Sequence, residues 1–414
     1  MRWQIALLTL ALGGCAALAP GPETPPQAVQ TTASPPTIGP RYPLTVDDYR
    51  TTDPAIYIGN VDAHVLGVRE ALARSGNPQH ASALGGALLQ RYRIIGRVED
   101  ADEALRLLKD AAAARPDDVQ TAVLLASAMS VFHEFDAARA QIQRVAGLGG
   151  ARDDAFLVRT TREIDLATGA YANVADLIAA AATPVADFYE LALRADLMAA
   201  KGDPIMASHL LQTAQGLFAD VDPFQLAWLH TQQGIILLRF GDVAGARTFF
   251  AAAHARLPQY YLSTEHLAET EFLLGNLDVA RTLYLQVIEQ TGNPEFLAAL
   301  ADVEAAAGRK PAADAARLAA RAGYETLLVA HRAGYLQHAA EFHLVIGEPA
   351  LALQMAQENL ALRRDVLSLA LVIDTAIANQ RTDLACAAFR DATATGLSPP
   401  EITRHATLAQ ACKT

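Results

Sequence analysis

Histidines and carboxylates at helical spacing are the residues of this chain that could do chemistry. In His338-Ala-Ala-Glu341-Phe-His343, His338 and Glu341 share one helical face. His343 lies five residues on, roughly 140° round the helix from His338, which is poor geometry for three ligands on one ion. His266 and Glu269 form a second pair three apart. Taken singly, such pairs read as partly buried or surface histidines, and no metal site is expected. The zinc-hydrolase pattern HExxH is absent, because His133-Glu134 is followed by Phe135, Asp136 and Ala137. There is no GxSxG, no SxxK around a nucleophilic serine and no phosphate-binding loop. Ala83-Leu84-Gly85-Gly86 lies inside a helical pattern without a following Lys-Ser/Thr. No catalytic residue and no cofactor are expected. An enzyme would need titratable groups gathered across distant segments into a closed pocket.

The elements that must position these residues are helices separated by a ladder of glycines. Gly169, Gly202, Gly241, Gly275, Gly308 and Gly347 stand 33, 39, 34, 33 and 39 residues apart, each between two Ala- and Leu-rich stretches. A helix–turn–helix recurring at this period predicts a stacked solenoid, and solenoids mostly bind. The clearest unit is Ala227 to Pro258, with Ala246, Phe250 and Ala253 on one face and Pro258 ending the helix. Ala268, Gly275, Ala280 and Tyr284 repeat it. Glycines inside helical patterns (Gly67, Gly85, Gly234) read as close helix crossings. The 39-residue spacings predict longer connections near 216–224 and 322–330.

This pattern resembles the tetratricopeptide repeat. The small–glycine–small–aromatic–small–proline series is met at Gly234, Gly241, Ala246, Phe250, Ala253 and Pro258. It is met in part at Ala195, Gly202 and Ala207, at Ala340, Gly347 and Ala352, and at Ala385, Phe389 and Ala392. The early tryptophan of the family is replaced by His230 in the best unit. The resemblance implies an all-α, right-handed α-solenoid of about nine tetratricopeptide-like helix pairs over residues 81–395. Residues 51–80 read as an N-terminal cap with a helix at 61–75. Residues 396–414 read as a C-terminal capping helix, with Ser398 as N-cap, Pro399 at the first helical position and Glu401 completing a capping box.

The resemblance also implies a concave groove lined by the first helix of each pair. It places Trp228, Thr231, Arg239, Glu265, Glu269 and Phe272 there, with Tyr189, Asp196, Asp302, Gln337 and Glu341 in flanking units. Acids dominate, so a protein segment carrying Lys or Arg is the expected partner. The alternative is a glycan or muropeptide stacked on Trp228, Tyr189 and Phe272.

Both ends add a location. Arg2, an apolar run from Ile5 to Leu12 and then small residues follow the order of a secretory signal, and the run is too short to span a bilayer. Leu12-Gly13-Gly14-Cys15 resembles the lipobox of bacterial lipoproteins. That resemblance makes residues 1–14 a signal peptide and Cys15 the lipidated first mature residue, and Ala16 after it favours the outer membrane, facing the periplasm, with inner-membrane anchoring the other option. Residues 15–50, rich in Pro and Thr, are expected to be a flexible tether. With Cys15 lipidated, Cys386 and Cys412 remain, to be read as one disulfide or as two buried thiols. The net charge of −12, without a basic run, excludes nucleic acid as a partner. The apolar fraction of 52% is carried by alanine, with 6% aromatics, which suits tightly stacked helices. The expected function is a lipid-anchored scaffold for an envelope assembly such as a pilus or secretion apparatus, outer-membrane assembly, polysaccharide export or recruitment of peptidoglycan enzymes.

Overall fold

Helix starts follow the caps. Asp53 accepts hydrogen bonds from the amides of Ala55 and Ile56, so α1 (Pro54–Ser75) opens at Pro54, seven residues before the expected 61. The computed structural model describes residues 45–148, 155–179 and 187–412, and among them all regular structure is helical. After α1 come hairpins of an inner and an outer helix. They are α2 (Pro78–Ile95) with α3 (Val98–Ala114), and α4 (Val119–Val131) with α5 (Phe135–Ala146). Next are α6 (Ala155–Ala167), a 3-10 turn and α7 (Ala175–Ala179), then α8 (Phe188–Ala200) with α9 (Pro204–Gly216). They continue as α10 (Pro223–Arg239) with α11 (Val243–Arg256), and α12 (Tyr261–Leu273) with α13 (Leu277–Thr291). The array ends with α14 (Pro294–Ala306) and α15 (Lys310–Ala330), α16 (Arg332–Val345) and α17 (Pro349–Leu362), and α18 (Val366–Ala378) and α19 (Thr382–Ala394). This is an α-solenoid of nine helix pairs among the described residues.

The turn inside each hairpin is built the same way. The six ladder glycines take φ between 75° and 88°, and the next residue's amide bonds back to a carbonyl five residues earlier, as in Asp242 to Leu237. His133 (φ 56°) and Gln380 (φ 59°) fill this place in the second and ninth hairpins, which is why the glycine ladder does not reveal them. Inside the hairpins, a β-carbon on Gly85 would meet Leu108 and one on Gly234 would meet Phe250. Gly67 faces open space and marks no crossing. The expected long connection at 322–330 is helix instead. Lys310–Ala330 runs unbroken because Ala320 and Tyr324 are buried along it, and Gly323 lets it lie against Pro294.

The solenoid coils back on itself. The turn after α2 meets the end of α13: Gln290 donates to the Ile95 carbonyl and Arg97 to the Gln290 carbonyl, separations of 195 and 193 residues. The turn after α4 meets the start of α16, where Phe132 stacks on His331 at 3.9 Å. The turn after α6 meets the start of α18, with the Val366 amide on the Tyr171 hydroxyl, 195 residues apart. The turn after α8 meets Ser398, whose hydroxyl donates to the Lys201 carbonyl across 197 residues. The turns of the first four hairpins thus touch the chain where the hairpin five places on ends and the next segment begins, and one superhelical turn takes about 195 residues.

Ser398 is therefore spent on this seam and not on capping. Pro399 is the cap, and the C-terminal cap is two short helices, α20 (Pro400–Thr403) and α21 (Leu408–Ala411), not one. At the other end, Asp47 and Tyr49, expected in the tether, are held on the solenoid. Asp47 pairs with His230 at 2.8 Å and Arg256 at 2.6 Å, and Tyr49 packs on Phe218. Burial alone would raise the Asp47 carboxyl, but the His230 hydrogen bond and the two positive neighbours bring it below its ordinary range.

Gly169 and Gly241 share the left-handed conformation but differ in surroundings. A β-carbon on Gly169 would overlap the Arg364 carbonyl, whereas one on Gly241 meets nothing. We expect Gly241→Ala to cost about 1–2 kcal/mol from φ alone. Gly169→Ala should cost about 1–3 kcal/mol more, the overpacking of the seam. Urea denaturation of the two variants measures the difference, and equal losses would mean that the coils do not touch there.

Candidate functional site

The inner helices carry a second ladder. In the first two hairpins Gln90 and Ser127 stand six residues before the left-handed Gly96 and His133; in the seven that follow, this place holds Glu163 (before Gly169), Asp196 (before Gly202), Ile235 (before Gly241), Glu269 (before Gly275), Asp302 (before Gly308), Glu341 (before Gly347) and Asp374 (before Gln380). One place in the repeat is one direction in space, so these side chains line the inside of the coil. Of the last seven, all but Ile235 are acids.

Closure of the coil changes the role of the expected groove. Trp228 is buried, with its ring 5.7 Å from Phe188 and 6.3 Å from Tyr189, and the Arg159 guanidinium lies 4.1 Å over the Tyr189 ring. Phe272 packs into the core between α10 and α14. No stacking platform for a glycan is left on Trp228 and Tyr189, because both faces are used by packing. Thr231 is fully buried, and its hydroxyl donates to the Ala227 carbonyl. Arg239 makes two hydrogen bonds to Glu401, at 2.8 and 3.1 Å, tying α10 to α20. Asp302 pairs with Arg317 at 3.5 Å. Gln337 donates to Glu341, which also faces His338. His343 turns away to Glu348, as its place on the helix requires. Cys386 and Cys412 form a disulfide that fastens α21 to α19. Cys15 and the signal segment lie outside the described residues, and no described helix is long and apolar enough to cross a membrane.

A cavity remains where α6, α8 and α10 meet the start of α18. Glu163, Asp196, Gln232, Arg239 and Asp365 supply its polar lining, among leucines, isoleucines and Tyr171. Three of these are already committed. Arg239 holds Glu401, Asp365 caps α18 by accepting from the Leu367 and Ser368 amides, and Glu163 shares its charge with Arg93 and Arg159. Asp196 has no hydrogen bond or salt bridge among the described residues. Burial pushes its carboxyl up to about 7, with Arg239 acting against the rise. Burial likewise raises Glu163, and it lowers the Arg93 guanidinium to about 10. The sequence reading missed Glu163, Gln232 and Arg93. Glu163 was legible, since it stands 33 residues before Asp196 in the same repeat place. Gln232 and Arg93 carry no such signal.

A second polar group lies on α12, α14 and α16. Burial pulls the His266 imidazole down, but Glu265 and Glu269 outweigh it and hold the ring at about 9. His338 is held at about 9 in the same way, by Glu295 and Glu341. Burial raises Glu265 and Glu295.

No protein-family model matches the sequence, and no curated protein matches it. Among solved structures the chain is similar to the human IFIT1 dimer with PPP-AAAA, at 14% identity and TM-score 0.48, over 80% of this chain and 77% of that one. It is similar to yeast Tom70 at 13% identity and TM-score 0.34, over 86% of this chain and 93% of that one. It is similar to the P58(IPK) TPR domain at 12% identity and TM-score 0.28, over 86% and 94%. The helical-repeat architecture of this protein rests on its own helices and turns.

An acid whose pKa is higher folded than unfolded binds its proton more tightly when folded. Stability is then fully present at low pH and falls as pH rises from about 4 through about 7. With Asp196 moved from 3.8 to about 7, the Asp196→Asn variant should be more stable than wild type at pH 8, with a gap that widens from pH 5 to 7 and then levels. Denaturation midpoints at four pH values test this. A gap independent of pH would mean that Asp196 is solvated.

Proposed function

We propose that this protein is a lipid-anchored scaffold of the bacterial envelope, held at the outer membrane through Cys15 and facing the periplasm. Its partner is a protein of an envelope assembly that presents a lysine or arginine to the inside of the coil. The observation that supports this is Asp196. A carboxylate that makes no hydrogen bond or ion pair among the described residues, and feels Arg239 only at longer range, lines an open cavity where three hairpins meet the next superhelical turn. Keeping such a group buried costs stability, and a bound ammonium or guanidinium would return it by a charge-assisted hydrogen bond. The hairpin before it places Glu163 at the same position, and beyond Ile235 of the next hairpin the acids resume with Glu269. The repeat array, the lipobox-like Leu12-Gly13-Gly14-Cys15 and the tether before Thr45 fit one arrangement, in which a rigid binding coil stands off a membrane.

Two measurements test the two halves. Palmitate labelling and fractionation should place wild type in the outer membrane and Cys15→Ser, unlabelled, in the soluble periplasmic fraction. An unlabelled wild type would remove the anchor. In-cell crosslinking with mass spectrometry should capture a partner through one of its basic residues, and Asp196→Asn should lose at least about tenfold of that yield while staying folded. Equal capture by both forms would remove the cavity from the binding reading.

A further inference from the structure

Several buried acids of the protein are matched by arginine. Asp100 pairs with Arg91 at 2.6 Å, Glu271 with Arg247 at 2.6 Å, Glu304 with both Arg281 and Arg309, and Asp365 with Arg363 at 2.5 Å. Four other glutamates on α12, α14 and α16 have no arginine partner among the described residues. Among the described residues, Glu265, Glu269, Glu295 and Glu341 form ion pairs with two histidines alone. Four carboxyl groups thus share two imidazoles, and each must either keep its proton or find a further cation.

The arrangement of these groups is that of ligands. The Nδ1 atom of His266 lies 3.0 Å from Glu265 Oε2 and 3.2 Å from Glu269 Oε2, and one donor atom from each of the three falls within 4.8 Å of the others. Donors bound at about 2.1 Å to one ion stand about 3.0–3.4 Å apart, so two of these edges already have the right length. His266 is 3% exposed, and its Nε2 has no hydrogen-bond partner. The same donor set recurs two hairpins on. His338 Nδ1 lies 3.3 Å from Glu295 Oε1 and 3.6 Å from Glu341 Oε2, and this buried nitrogen makes no hydrogen bond although it points at two carboxylates. The recurrence is built into the repeat. His266 and Glu269 stand nine and six residues before Gly275, and His338 and Glu341 stand nine and six before Gly347.

We propose that Glu265, His266 and Glu269 are the primary ligands of a divalent transition-metal ion, with Glu295, His338 and Glu341 completing its surroundings from the next two hairpins. Mixed imidazole and carboxylate donors without thiolate suit zinc, manganese or iron(II), whereas calcium and magnesium take oxygen donors. The ion would do for these three hairpins what arginine does at the buried acids named above. It would neutralise the carboxylates and brace α12 to α14 and α16. The site is separate from Asp196 and stands or falls independently of the scaffold reading.

Zinc titration of the mature protein by calorimetry, with elemental analysis of the product, tests this. We expect at least one equivalent bound, and a loss of affinity of at least about 100-fold in Glu269→Gln and in His266→Gln. His80→Ala is the control, because that imidazole sits at the surface beside Ser75, and it should bind as wild type does. No zinc on wild type, or equal binding by wild type and both ligand variants, would overturn the site. If either variant loses its helical circular dichroism, zinc K-edge absorption of the wild type decides. Imidazole scattering within an oxygen shell supports the proposal, and a shell without imidazole ends it.

Discussion

Backbone contact between successive turns of the coil is the constraint on which the rest depends. Gly169 lies so close to the Arg364 carbonyl that a β-carbon would overlap it, and Gly202 stands in the same relation to Ser398. These contacts recur at one offset, about 195 residues, along four consecutive hairpins. A solenoid with open ends is stabilised by neighbour-to-neighbour contacts alone. This one adds long-range seams, so its curvature is fixed and its inner face is enclosed. Asp47 on α10 and α11 and Glu401 on α10 tie the segments that flank the helix pairs to the fifth hairpin.

Enclosure is what makes the inner acids informative. In an open groove, Asp196, Glu269 and Glu341 would be solvated and would mean little. Inside a closed coil each carries a desolvation penalty that some partner must offset. Along the seams and outer hairpins arginine does so. Inside the coil two places are left over, Asp196 with its cavity and the His266–His338 cluster. The first is a cavity lined by leucines, isoleucines and Tyr171, and the proposed partner side chain would enter it. A small ion fits the second, where donor atoms already stand about one ligand-edge apart.

The groove residues inferred from repeat resemblance divide along the same line. Those with large apolar or cationic groups, Trp228 and Arg239, are consumed by packing and by the α20 contact. The acids stay on the inner wall, where Asp302 meets Arg317, Glu341 meets Gln337 and His338, and Glu269 meets His266. A repeat motif describes one hairpin and its neighbours, not the next turn of the coil, so it does not show what the inner helices meet there.

The sequence by itself determined the hairpins. Glycine at the left-handed turn, alanine where helices cross and an aromatic in the outer helix are local requirements, met within one repeat and therefore visible in it. It also held the acidic ladder, because a fixed place in the repeat is a fixed direction in space. Only the tertiary structure decided the pitch of the coil. Pitch is the sum of small rotations over five hairpins, and no single residue carries it. From the pitch follow the seams, the burial of Trp228, the capture of Arg239 by Glu401, and the meeting of two separate His–Glu pairs with Glu295. Those pairs are 72 residues apart in the chain, and only stacking brings them together.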